Sequence, residues 1–302
     1  MKKAVRLVFL LSFALLLVGS TLSAAPGRQA SASEGEAEEM NLRVMTYNLR
    51  YENTIDPSPH TWDERRPTVR QLIRMEQPDI FGTQEALYQQ VAEVADDLPN
   101  YEWIGLGREG GSKGEFMAIY YKKNRFTPLE YDHFWLSDTP EVIGSKSWGN
   151  TIPRMVTWVK FLDTKTDKQF YFVNTHFDHR SVEAREKSAS LIVEKIKAFD
   201  PALPVVLTGD FNTAPDTRPH QILTDEGPFV DTMESAEQKI NDHLGTFNGF
   251  RDPTGGKNRI DWILTKGNVI THSTEIIDYQ KIGQFPSDHY PVISNLTLGT
   301  SK

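Results

Sequence analysis

The chain has 302 residues, a formal net charge of −8 and no cysteine. That length suits one large domain with a sizeable core, or two small ones, and an aromatic content of 11% argues against disorder. The acidic balance gives no footprint for long nucleic acid, although a local basic cleft would still allow a nuclease; the missing cysteines exclude disulfides, thiolate metal sites and a cysteine nucleophile.

The chain opens Met1-Lys2-Lys3-Ala4-Val5-Arg6, continues in an apolar run from Leu7 to Val18, and reaches small residues at Ser23, Ala24 and Ala25. A basic start, a short apolar core and a small-residue exit predict a signal peptide over 1–25, cleaved after Ala25. The run is shorter than the roughly 20 apolar residues of a membrane span, so no integral membrane segment is expected after cleavage. Export without disulfides points to a bacterial, extracellular protein. Residues 26–40, mostly Gly, Ala, Ser and Glu with one each of Pro, Arg, Gln and Met, have no apolar periodicity and read as a flexible acidic linker. One domain is expected over 41–298, with a tail at 299–302 and no internal repeat.

Within the domain, Leu42 to Tyr47 reads as a first strand and Pro67 to Met75 as a helix. Pro78 to Thr83 reads as a short strand leading to Glu85, and Ala86 to Leu98 as a helix. Tyr101 to Leu106 and Phe116 to Tyr121 read as strands. Met155 to Leu162 and Phe170 to His176 read as a strand pair joined by a polar turn. Ser181 to Phe199 is the clearest helix, with Ser181 as N-cap, Glu183 at its positive end and Asp200-Pro201 as its stop. Pro204 to Thr208, Arg259 to Thr265 and Tyr290 to Leu298 complete the strands, and Gly267 to Thr274 reads as short and polar. The mixture predicts two packed sheets with helices outside.

Five polar segments follow or end these apolar runs: Tyr47-Asn48, Gln84-Glu85, Gly209-Asp210-Phe211-Asn212, Arg259-Ile260-Asp261 and Ser287-Asp288-His289. Each has an ordinary reading alone. Asp210 and Asn212 suit a turn, Glu85 a solvated strand end, and Asn48 a turn; His176 is a common strand terminus, and Arg154 suits a surface ion pair. Asp261 differs, because it interrupts an apolar strand and needs a partner there. Together they supply oxygen ligands for Mg²⁺ or Mn²⁺ (Glu85 and Asp288, with Asn48 near), a carboxylate to activate water (Asp210) and an imidazole with its carboxylate (His289 with Asp261). Asn212, His176 and Arg154 add phosphate-binding donors. This is the inventory of metal-assisted phosphoester hydrolysis.

In this order and spacing the five segments resemble the motifs of the endonuclease/exonuclease/phosphatase superfamily, which includes deoxyribonuclease I, abasic-site endonucleases, bacterial sphingomyelinases and inositol polyphosphate 5-phosphatases. The resemblance covers nearly all of the expected domain. It implies a four-layer α/β sandwich with two central mixed β-sheets flanked by helices. It also implies that Glu85 is the principal metal ligand beside Asn48, that Asp288 serves a second or alternative metal position, and that His289, oriented by Asp261, contacts the scissile phosphate. Asp210 would orient or deprotonate water, Asn212 would hold the phosphate, Glu115 would pair with His176, and Arg154 would contact phosphate. The chain looks most like secreted bacterial members of unassigned substrate.

Trp62, Arg65 and Trp148, with His60, Arg66 and Trp135, are expected on loops near the cleft, where Trp and Arg could stack on a sugar or base. The plain alternative is that Trp62 packs its helix and the arginines are solvated. The expected function is a secreted phosphoesterase acting, as a monomer, on a small sugar- or nucleotide-like phosphate. The alternatives, in order, are an extracellular nuclease, a sphingomyelinase-like phospholipid hydrolase and a catalytically silent binding module. No long basic insertion and no hydrophobic hairpin supports the nuclease or the phospholipid reading.

Overall fold

A computed structural model describes residues 39–299. The predicted signal peptide, nearly all of the linker and the tail beyond Gly299 lie outside the described residues. β1 (Met40–Asn48) begins one residue inside the expected linker, and Met40 is fully buried. Side chains alternate across β1: Leu42 and Val44 enter the core between the sheets, whereas Met45 and Tyr47 meet helices.

α1 (Trp62–Glu76) starts earlier than the periodicity implied and runs through Pro67. Its start is marked by Thr61 and Glu64: the Glu64 carboxylate accepts from the Thr61 N–H at 3.3 Å and from its hydroxyl at 2.7 Å. β2 (Ile80–Gln84), α2 (Tyr88–Asp97), β3 (Tyr101–Ile104) and β4 (Ile119–Lys122) follow. Next come β5 (Phe126–Trp135), β6 (Met155–Asp163), β7 (Lys168–His176), α3 (Val182–Lys195) and β8 (Val205–Asp210). As predicted, the Ser181 hydroxyl oxygen caps α3, accepting from the Ala184 N–H at 3.1 Å. Short elements α4 (Arg218–Leu223), β9 (Val230–Asp231), α5 (Thr232–Ser235) and β10 (Gln238–Ile240) lead to β11 (Asp261–Lys266), β12 (Val269–Ile276) and β13 (Val292–Leu298).

One sheet has the order β10-β12-β13-β1-β2-β4-β3 and the other β5-β6-β7-β8-β11-β9. Both are mixed: β1–β2 and β7–β8 are parallel, β1–β13 and β8–β11 antiparallel. Between them, Leu42, Val44 and Ile80 pack with Phe161, Phe170, Phe172 and Ile263. Trp62, Val69 and Leu72 of α1 and Val91 of α2 cover the outer face of the first sheet. Ala189 and Ile192 of α3 and Leu223 of α4 cover the second. The result is the four-layer α/β sandwich that the sequence implied.

Near the catalytic edge the layer between the sheets turns polar. Gln84 Nε2 donates to Thr46 Oγ1 at 3.1 Å and to Asn174 Oδ1 at 2.8 Å, and Asn174 Nδ2 donates back to the Thr83 carbonyl at 2.8 Å. Thr208 Oγ1 closes the network on Asn174 Oδ1 at 3.1 Å. Gly82 makes room for it, since a Cβ there would lie 2.4 Å from Thr208 Oγ1. Because Thr46 and Gln84 belong to one sheet and Asn174 and Thr208 to the other, this seam ties the two together.

Candidate active site

Strand topology gathers the predicted residues at one edge. Asn48 ends β1 in register with Gln84, which ends parallel β2 and is followed by Glu85. In the second sheet His176 ends β7 beside Asp210, the end of parallel β8. Asp210 is also paired with Asp261, the first residue of antiparallel β11. Parallel strands finish at a common edge and an antiparallel neighbour starts there, so residues far apart in sequence meet. The segment before β13 adds Asp288 and His289.

His289 Nδ1 and Asp261 Oδ2 are 2.8 Å apart, and both residues are buried. Burial opposes a charge on the imidazole, but the Asp261 and Asp210 carboxylates outweigh it and hold its pKa well above the ordinary value. Asp210 accepts the Asn212 N–H on Oδ1 at 2.9 Å and Asn48 Nδ2 on Oδ2 at 2.9 Å. Burial and the Asp261 charge push Asp210 up to about 7, against the pull of His289. Burial likewise lifts Asp288 to about 6 and Glu115 to about 7, with the Glu85 charge adding to both. In contrast, burial and the Arg154 and Arg108 charges hold His176 well below the usual histidine pKa, as a neutral ring. Asn212 Nδ2 lies 3.0 Å from His176 Nε2 and donates to the Phe177 carbonyl at 3.1 Å.

His176, Asp210, Asn212 and His289 line a cleft of about 710 Å³ with Glu85, Glu115, Asp288 and Arg154. Ligand atoms of Glu85, Asp210 and His289 lie within 4.8 Å of one another, a spacing that fits one divalent cation. Asp288 is outside that trio and faces Arg50, whose Nε is 3.7 Å from its Oδ2. Asn48, expected beside the ion, stands next to Glu85. Its Nδ2 donates to Glu85 Oε1 at 3.0 Å and to Asp210, while its Oδ1 accepts the Arg50 N–H at 2.9 Å. The amide therefore donates to two carboxylates, while its oxygen accepts one backbone N–H and keeps a second lone pair.

Other expectations need correction. Glu115 stands beside His176, its Oε2 3.9 Å from Nδ1 and so without a hydrogen bond to it, and accepts from Arg108 Nη1 at 2.5 Å. Trp62, Arg65 and Trp148 do not line the cleft. Trp62 is the first residue of α1, not a loop residue, and is buried with its Nε1 on Glu93 of α2 at 2.6 Å. Trp148 Nε1 donates to Asp138 at 2.7 Å. Arg65 is fully buried and donates to the carbonyls of Leu49 and Arg50, both at 2.6 Å, and of His60 and Pro286, both at 3.1 Å. It thereby holds the loop after β1 against the segment that carries Asp288. The sequence reading passed over Arg50, Arg108, His179, Arg180 and Phe247, all of which line the cleft. Arg50 sits two residues after Asn48, and Arg108 lies in the Gly-rich stretch 105–114; both were visible as cations beside a motif or a turn.

The profile of the endonuclease/exonuclease/phosphatase family matches residues 45–289. Among solved structures, an endonuclease/exonuclease/phosphatase from Bacteroides vulgatus is 35% identical, with a TM-score of 0.82 over 86% of this chain and 100% of that one. A mannosyl-6-phosphatase from Bacteroides thetaiotaomicron is 36% identical, with a TM-score of 0.80 over 84% of this chain and 99% of that one. An uncharacterised protein of Acanthamoeba polyphaga mimivirus is 34% identical over 57% of this chain and 67% of its own length.

Proposed function

The chain belongs to the endonuclease/exonuclease/phosphatase family, whose members hydrolyse phosphoric esters, and from that premise we propose an exported, divalent-cation-dependent phosphoesterase for small phosphorylated substrates such as sugar phosphates. The observation that carries this reading is the convergence of Glu85, Asp210 and His289 on one cleft, with buried Asp261 behind His289. The 36% identical neighbour described as a mannosyl-6-phosphatase supports the sugar-phosphate class. The basic, apolar and small-residue order of residues 1–25 supports export. Among the described residues no helix is long and apolar enough to cross a membrane.

In this reading Glu85 is the main ligand of Mg²⁺ or Mn²⁺, with Asp288 serving a second or alternative position beside it. A bound cation would supply neutralising charge to the phosphoryl oxygens. Asp210, fixed by two donors, orients water and takes its proton as the oxygen attacks phosphorus in line with the leaving group. His289, kept cationic by Asp261, stabilises charge on the phosphoryl oxygens. Asn212 holds the phosphate by giving it the Nδ2 hydrogen that faces neutral His176, while the other stays on the Phe177 carbonyl.

The test is hydrolysis by the purified chain lacking residues 1–25, with Mg²⁺, Mn²⁺ or EDTA. The panel holds mannose 6-phosphate, other sugar phosphates, sphingomyelin, supercoiled plasmid and nitrophenyl esters. EDTA-sensitive release of phosphate from small esters with plasmid intact is the expected result. Plasmid nicking at comparable enzyme would put the nuclease first, and silence on every substrate would overturn the enzymatic assignment.

A further inference from the structure

Beyond His176 the cleft wall becomes basic. Arg154 is 3% exposed and Arg108 is 9% exposed, and both line the cleft with His176, Asn212 and Asp210. Arg154 Nη2 donates to His179 Nδ1 at 2.9 Å, which requires that ring nitrogen to accept. Its Nε and Nη1 have no hydrogen-bond partner; the Asp178 carboxylate stands 3.7 Å from Nε. Arg108 gives Nη1 to Glu115, and its Nε also lacks a partner. His176 Nδ1 is a further buried nitrogen without one. Arg180 adds a third guanidinium at the mouth. Against these three cations stand Glu115 and Asp178 on the wall and Asp210 at its border with the reaction centre.

Guanidinium N–H groups buried without acceptors are costly unless a ligand brings the acceptors. The wall adjoins the reaction centre through His176, whose Nε2 is 3.0 Å from Asn212 Nδ2 and 3.5 Å from Asp210 Oδ2. An anion there is the phosphate that reacts, not a remote group.

We propose that Arg108 and Arg154 clamp the unsubstituted oxygens of a phosphomonoester dianion, and so make this site select monoesters over diesters. The proposal rests on the phosphoesterase reading and deepens it. A monoester carries three unesterified oxygens and, above a second pKa near about 6, a second charge. A diester carries one charge and two such oxygens, and its second substituent would have to leave past buried Arg108, Arg154 and His176. His289 and the cation site opposite answer one charge; the arginine wall answers the other.

The experiment compares kcat/KM for 4-nitrophenyl phosphate and bis(4-nitrophenyl) phosphate, which share a leaving group. Alongside it, Tm is measured in EDTA with inorganic phosphate or dimethyl phosphate. The monoester should be preferred, and inorganic phosphate should raise Tm where dimethyl phosphate does not. Arg154→Gln and Arg108→Gln should each shrink the monoester-to-diester ratio about tenfold or more and abolish the phosphate-specific Tm shift. Arg108→Lys and Arg154→Lys, which keep charge but lose the fork, should fall between and serve if a Gln variant fails to fold. A wild-type preference for the diester, equal Tm shifts from the two anions, or folded Gln variants with an unchanged ratio would each overturn the clamp. A diester preference would leave the phosphoesterase reading standing, whereas inertness toward both esters would remove both.

Discussion

Asp261 is where the chemistry begins, because its position is unreasonable for anything else. It has no solvent exposure and opens the apolar strand β11 where the sequence had put it inside one, and it gives one oxygen to His289. A buried carboxylate of this kind persists when a cation repays it. Backbone strain marks the same spot: Arg50, Glu85 and Asn212 all adopt positive φ, at 55°, 66° and 51°. Such conformations cost roughly 1–3 kcal/mol each and survive where the surroundings enforce them. On this basis Asp210→Asn and His289→Ala should each lower kcat by about 10²–10⁴-fold with an unchanged circular dichroism spectrum; near-normal turnover in a pure variant would refute the roles. Glu85→Gln should raise the Mg²⁺ concentration needed for half-maximal thermal stabilisation. Titration of Tm against Mg²⁺ checks this without reference to turnover.

At the scale of elements, β9 and its neighbours depend on one acid. Asp231 accepts Arg259 Nη2 at 2.8 Å and the Met233 N–H of α5 at 2.8 Å, and lies 3.1 Å from His220 Nε2 of α4. Burial opposes its charge, but His220 and Arg259 prevail and hold its pKa below the usual carboxylate value. A depressed pKa means stability that is complete above the unfolded pKa of about 3.9 and is lost as pH falls toward the folded one. Asp231→Ala should cost about 3–5 kcal/mol, read by urea unfolding at pH 7, because it leaves Arg259 buried and unpaired. In acid the difference between variant and parent should narrow below about pH 4. These small elements were illegible in the sequence. β9 and β10 are too short to show a period, and β5 is an edge strand with a bulge after Pro128 and exposed Leu129 and Tyr131. The bulge between Thr271 and Ser273 breaks the alternation of β12 in the same way, so the stretch read as short and polar is a full strand.

For the whole molecule, legibility followed the strands. Asn48, Glu85, His176, Asp210 and Asp261 stand at or next to strand ends, so periodicity alone carried the reader to them. Arg154, next to the start of β6, was reachable too, whereas Arg50, Arg108 and Arg180 were not, because they come from separate loops. Trp62, Arg65 and Trp148 show the converse: residue types suited to a ligand were used to assemble the scaffold. Arg65→Met should leave four carbonyls short of a donor and destabilise the chain by at least about 3 kcal/mol in urea, with the cleft residues untouched. The polar seam of Thr46, Gln84, Asn174 and Thr208 has a kinetic side as well. Half of the catalytic set rides on each sheet, so turnover measures how truly the two are aligned. Chemistry tolerates far less slippage than packing does. In a urea series, activity should fade at concentrations where far-ultraviolet dichroism is still native, and Asn174→Ala should widen that gap: the enzyme would fall out of tune before it falls apart.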